Sequence, residues 1–137
     1  DCAEEVPFND LAKLRAEYAR YSLLKSFAAD ESWGAACANW PMGPVDPLEN
    51  AVIASDVPAL LLTGLYDPIT PPQYARLAGS RLVNSYYFEF ASAGHDVLSN
   101  EPCSGEIAKK FIDDPTAMPA AECLGELQPP RFRPPVQ

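Results

Sequence analysis

Two kinds of hydrophobic periodicity run along this chain. Between Leu11 and Asp30 apolar residues recur at helical spacing. Leu11, Leu14, Tyr18, Tyr21, Leu24, Phe27 and Ala28 form one stripe behind a helix-start signal at Asn9 and Asp10. From position 57 the pattern changes. Leu60, Leu61 and Leu62 make a continuous apolar run after Pro58, closed by Gly64, as expected of a parallel strand covered on both faces. Ser85–Phe90 (SYYFEF) alternates, with Tyr86, Phe88 and Phe90 on one side, which predicts a half-buried strand near a sheet edge. A helix is expected between the two. Thr70 suits its N-cap, Pro71 its first position, and Gln73 completes a T-x-x-Q capping box. Tyr74, Leu77, Ala78 and Leu82 mark the face it should bury. A last helix is predicted from about Asn100–Pro102 to Asp113, burying Ile107, Ala108, Phe111 and Ile112 and stopped by Pro115.

These elements give an α/β fold class: a βαβ unit, with strands at about 57–63 and 85–90, and flanking helices. Around it lie irregular stretches. Trp33–Pro47 (WGAACANWPMGPVDP) is broken by glycines and prolines, with Trp33 and Trp40 as expected core anchors beside Cys37. The tail at 128–137 holds four of the fifteen prolines and reads as extended. Two parallel strands do not make a stable sheet by themselves. The chain therefore reads as the last part of a larger α/β protein, or as one that takes its missing strands from a partner.

Composition narrows the function. An apolar fraction of 47% and a charged fraction of 21% are those of a globular protein. The formal net charge of −9, with no basic run, argues against nucleic acid, whose phosphates demand clustered Lys and Arg. No apolar run approaches the ~20 residues of a membrane span, so no membrane partner is expected. The four cysteines, Cys2, Cys37, Cys103 and Cys123, never stand as C-x-x-C, and the single histidine lies apart from them. Disulfides in an exported protein fit this better than zinc, and spacing alone leaves three connectivities open.

One constellation carries chemistry. In open parallel sheets functional groups collect beyond the carboxyl ends of strands. Asp67 follows the first predicted strand and His95 the second, so neighbouring strands bring a carboxylate beside an imidazole. Such a pair works as a general base and its orienting acid, with Gly94 expected to give the backbone its tight turn into the cleft. Each residue also has a plainer reading: His95 as an exposed loop histidine, Asp67 as a turn residue in Y-D-P.

The run LLLTGLYDPITPP at 60–72, ASAGH at 91–95, C-x-x-W at Cys37–Trp40 and the later pair Cys103 and Cys123 occur in one order. Together they resemble the C-terminal portion of an α/β-hydrolase fold, in the tripeptidyl aminopeptidase-like branch of the serine peptidases related to proline iminopeptidases. The opening DCAEEVPF is similar to the segment that follows the helical lid in that family. The resemblance implies that residues 1–127 are a C-terminal hydrolase segment and that Asp67 and His95 are triad members. It implies disulfides Cys2–Cys37 and Cys103–Cys123, a peptide substrate, an extracytoplasmic location, and no metal or cofactor. Glu4 or Glu5 would fix the substrate's α-ammonium, unless they are simply a solvated acidic loop. The chain departs from the family at one point. Its nucleophile stands in a G-x-S-x-G elbow, and none occurs here: Ser80 reads L-A-G-S-R and Ser104 reads P-C-S-G. The chain alone is therefore expected to be inactive, its partner being the missing N-terminal part of the hydrolase or a second copy. A non-enzymatic scaffold stabilised by self-association, and an esterase of the same fold, are the alternatives.

Overall fold

The apolar run and the alternating run become two parallel strands, β1 (Ala59–Gly64) and β2 (Ser85–Phe90), in register from Ala59 opposite Ser85 to Gly64 opposite Phe90. They belong to a computed structural model that describes residues 2–23, 36–40, 43–131 and 133. Its contacts divide the chain into two units, Asp1–Val52 and Ile53–Gln137.

In the second unit, β1 starts at Ala59 rather than Val57 because Pro58 has no N–H to give the ladder. The Ala59 N–H donates to Asn84 O at 3.0 Å. Pairing extends upstream through an isolated bridge between Ser55 and Leu82. Side-chain alternation then sorts the sheet into two faces. Leu60, Leu62, Tyr86, Phe88 and Phe90 share one face with Val97, Cys103 and Ile107, which form the core. Phe90 and Ile107 are fully enclosed there. Tyr86 adds an edge-to-face contact with Phe111 at 6.2 Å and donates its hydroxyl to Thr116 O at 2.8 Å. On the other face lies the crossover helix α1 (Pro72–Gly79), whose Gly79 lets the Leu61 side chain approach closely. Arg76 of this helix pairs with Glu89 of β2, whose carboxylate also accepts from the Tyr87 hydroxyl at 2.6 Å. Helix thus lies against both faces of the sheet, but Leu60, Leu61 and Leu62 are only half-buried rather than enclosed as their unbroken run predicts. Among the described residues it has only these two strands.

A short helix α2 (Val97–Asn100) leads into α3 (Pro102–Asp113), which ends at Asp114, the residue before Pro115. Cys103 at the start of α3 is joined to Cys123 in the 3-10 helix Glu122–Glu126.

Several expectations need correction. Thr70 does not cap the crossover helix. Pro71, whose ring has no acceptor, occupies that position, and the Thr70 hydroxyl is given to Asp67 instead. The expected buried stripe is largely outside: Tyr74 and Leu77 are 58% and 68% exposed, and Ala78 is exposed too. Gly79 faces Leu61 of β1 instead and allows closer packing, and Ala75 is half-buried. On α3, Ile107 is buried and Phe111 half-buried, but Ile112 lies beyond the sheet's reach and is exposed.

The first unit holds a 3-10 helix (Val6–Phe8), a helix α0 at the amino-terminal side (Leu11–Ala19), and a 3-10 turn (Pro47–Asn50). Asp10 caps α0 by accepting from Lys13 N at 2.9 Å. The helix stops at Ala19, short of the predicted Asp30. The Arg20 and Tyr21 N–H groups close it by donating to Glu17 O and Tyr18 O, and none of its residues is buried, so no packing extends it. Residues 24–30 of the predicted helix, and Trp33, lie outside the described residues. Trp40 is exposed rather than a core anchor; the Cys2–Cys37 disulfide holds this segment in its place.

Candidate active site

The site is assembled where the two strands end. After β1 the chain turns tightly, with Asp67 N–H donating to Gly64 O at 3.2 Å. After β2 it turns again, with Ala93 N–H donating to Phe90 O at 3.3 Å. Backbone bonds join the two loops: Leu65 N–H to Phe90 O at 3.0 Å, and Tyr66 N–H to Ala93 O at 3.1 Å. Gly64 makes this approach possible. A Cβ there would stand 2.2 Å from Gly94 O and 2.6 Å from Ala93 O.

This approach puts Asp67 beside His95. His95 Nδ1 lies 3.1 Å from Asp67 Oδ1 and 3.0 Å from Oδ2. The carboxylate is buried, its side chain only 5% exposed, whereas the imidazole is 48% exposed. Oδ1 also accepts from the Ile69 and Thr70 backbone N–H groups at 2.8 and 2.9 Å, and Oδ2 from the Thr70 hydroxyl at 2.7 Å. Burial opposes ionisation of Asp67. The hydrogen bonds from Thr70, His95 and Ile69 outweigh it and hold the carboxyl well below the usual carboxylate range.

The electrostatics fix the tautomer. Nδ1 faces a carboxylate that is ionised at neutral pH, so the ring proton belongs on Nδ1. In the neutral ring Nε2 then carries the free lone pair, and it bonds to no described residue. An imidazole so held can take a proton at Nε2, with the resulting positive charge stabilised by Asp67. That is general-base geometry.

The turn that delivers His95 uses a different residue from the one expected. Gly94 does not take a left-handed conformation; Asp96 does, at φ 59° and ψ 54°. Asn100 holds this turn by donating Nδ2 to Asp96 O at 3.1 Å and to His95 O at 3.4 Å. Upstream, Ser92 donates to Glu101 at 2.6 Å, tying the loop to the start of α3. Ser104 is buried, and its single hydroxyl proton is shared between Glu101 O at 2.7 Å and Val97 O at 3.0 Å. Its hydroxyl is committed to packing, and Ser80 likewise bonds Leu77 O at 2.6 Å.

A family model described as TAP-like protein, of the α/β-hydrolase group, matches residues 24–123, well over half of the chain and inclusive of both site loops. The chain belongs to the TAP-like family. No curated protein and no solved structure matches it significantly.

The TAP-like match includes Asp67 and His95, Cys37 and Cys103, and ends at Cys123. The other residues singled out from sequence fall as follows. Glu4 and Glu5 are exposed, in the turn before the 3-10 helix Val6–Phe8 of the first unit. The cysteines pair as Cys2–Cys37 and Cys103–Cys123. Two disulfides accord with an oxidising compartment, and no helix among the described residues is long and apolar enough to cross a membrane. Sequence reasoning missed the site roles of Gly64, Thr70, Asp96 and Asn100. The D-x-x-T spacing of Asp67 and Thr70 was the available signal, since an Asp side chain in a turn accepts from the backbone two and three residues on.

Proposed function

We propose that this TAP-like chain supplies the acid–base pair of a secreted serine hydrolase that releases short peptides from substrate N-termini. A buried, fully hydrogen-bonded carboxylate on Nδ1 of a half-exposed imidazole is the observation that carries the reading. A serine absent from these 137 residues as a G-x-S-x-G elbow would attack the scissile carbonyl. His95 Nε2 takes the serine proton as the C–O bond forms, then returns it to the leaving amine as the tetrahedral intermediate collapses. Asp67 stays ionised and stabilises the imidazolium between these steps. The partner is the nucleophile-bearing part of the hydrolase, and no metal or cofactor takes part.

The test has two arms. The 137-residue chain alone should not label with a fluorophosphonate probe; a labelled serine would overturn the reading. Combined with a nucleophile-bearing hydrolase segment of this family, it should cleave tripeptidyl anilides. His95→Ala should then lower kcat by about 10⁶-fold, and indifference to that change would refute the pair's role. A scaffold built by self-association is favoured by one observation, the exposed Tyr74–Leu77–Ala78 stripe. A stable dimer of the isolated chain, seen by mass in solution, would support it.

A further inference from the structure

We infer that Thr70 is a positioning residue of the acid–base pair, fixing the Asp67 carboxylate and the Nδ1–H tautomer of His95. This rests on reading Asp67 and His95 as that pair. Three observations converge. The Thr70 hydroxyl donates its single proton to Asp67 Oδ2 at 2.7 Å, and its backbone N–H donates to Oδ1 at 2.9 Å. One residue therefore grips both oxygens and stops the carboxylate from rotating. The same hydroxyl oxygen lies 3.4 Å from His95 Nδ1. With its proton committed to Asp67, that oxygen presents only lone pairs to the ring, so both groups facing Nδ1 are acceptors. Only a protonated Nδ1 satisfies them, and the base's lone pair is thereby held on Nε2. Helix capping does not account for Thr70, because the crossover helix takes no side-chain cap bond. The low ionisation range of Asp67, to which both Thr70 bonds contribute after the opposing effect of burial, agrees with this grip.

His95 is the only histidine, so its ring signals need no assignment by mutation. The experiment is long-range ¹H–¹⁵N NMR of the full 137-residue chain at about pH 9, where an imidazole is neutral, with ¹³C titration of the Asp67 carboxyl. Thr70→Val should lower the ratio of Nδ1–H to Nε2–H by roughly tenfold and move the Asp67 midpoint up toward the ordinary carboxylate range. Thr70→Ser, which restores the hydroxyl, should return both readings to those of the parent chain. Should valine disrupt folding, Thr70→Ala gives the same comparison. A hydroxyl-free variant that keeps the parent tautomer ratio and midpoint overturns the inference. Asp67→Asn separates the two claims: loss of the Nδ1–H preference there, with none in Thr70→Val, removes Thr70 and leaves the pair standing. If Asp67→Asn also leaves the tautomer unchanged, the pair itself fails.

Discussion

Gly64→Ala adds one methyl group at the end of β1, and its surroundings determine the outcome. The new Cβ would lie 2.2 Å from Gly94 O, 2.6 Å from Ala93 O and 2.8 Å from Ala93 C. All three are backbone atoms of the loop that carries His95, so no side chain can swing away. Ordinary contact begins at 3.4 Å, so the loop must retreat by about 1.2 Å, the difference between 3.4 and 2.2 Å. That retreat stretches the 3.1 Å bond from Tyr66 N–H to Ala93 O beyond hydrogen-bond range. Overpacking of this kind costs about 1–3 kcal/mol, readable as a lower midpoint in urea denaturation. In an assembled enzyme a 1 Å misplacement of the base would lower kcat by about 10²-fold. Backbone strain plays no part, since Gly64 does not have a positive φ. The isolated chain reports the displacement through its single imidazole, whose Nδ1–H signal should broaden or shift as the contact with Asp67 loosens. A Gly64→Ala chain with unchanged stability and unchanged imidazole spectrum would refute the claim that the close approach of these loops sets the site.

The remaining predictions concern the site carboxylate and the staples. Because Asp67 titrates lower folded than unfolded, its stabilising effect is complete above the unfolded value, near pH 4. That effect is lost progressively as pH falls from there toward the folded value. Asp67→Asn should therefore flatten the acid limb of the stability curve below about pH 4 in acid-unfolding titrations; an unchanged limb would contradict the hydrogen-bond account. Opening Cys103–Cys123 by replacing both with serine removes a link across a sequence separation of 20. The loss should be about 3 kcal/mol by loop entropy, measured by denaturant unfolding, and no loss would show that the α3 start is held by packing alone.

Much of the second unit was legible in the sequence because its signals were local. The alternation in SYYFEF gave β2 its full extent, since a period of two over six residues has one structural meaning. Leu60–Leu62 announced β1, and Pro115 marked the end of α3. One rule of parallel sheets plus two loop positions suggested the Asp67–His95 pairing, and the family resemblance of LLLTGLYDPITPP and ASAGH selected it over the plainer readings. What was not legible depended on atoms far apart in sequence. Thr70 looks like a helix cap in isolation; only the folded loop shows its hydroxyl claimed by Asp67. The need for glycine falls on Gly64 rather than Gly94, because the crowding arises between loops 30 residues apart in the chain. The Tyr74–Leu77 stripe has helical spacing, yet periodicity cannot say whether anything is present to cover it. For α0 the pattern promised twenty residues and the helix ends after nine, none of them buried.

The Asp67–His95 pair, which we propose as the acid–base pair, is held by residues close together in the chain. Among the described residues, every hydrogen bond to the Asp67 carboxylate comes from residues 69, 70 and 95. The loop junction is closed by bonds from residues 65 and 66 to residues 90 and 93, and the His95 turn by Asn100. All of these lie within one strand–helix–strand unit and the short helix after it. The geometry that sets the tautomer is therefore complete within that unit, and it does not wait for a nucleophile to arrive. In such an arrangement the cost of orienting the imidazole is met during folding rather than during the reaction. Substitutions inside the unit should consequently alter the imidazole signature of the isolated chain and the kcat of an assembled enzyme together. Substitutions that change only substrate binding should leave that signature untouched.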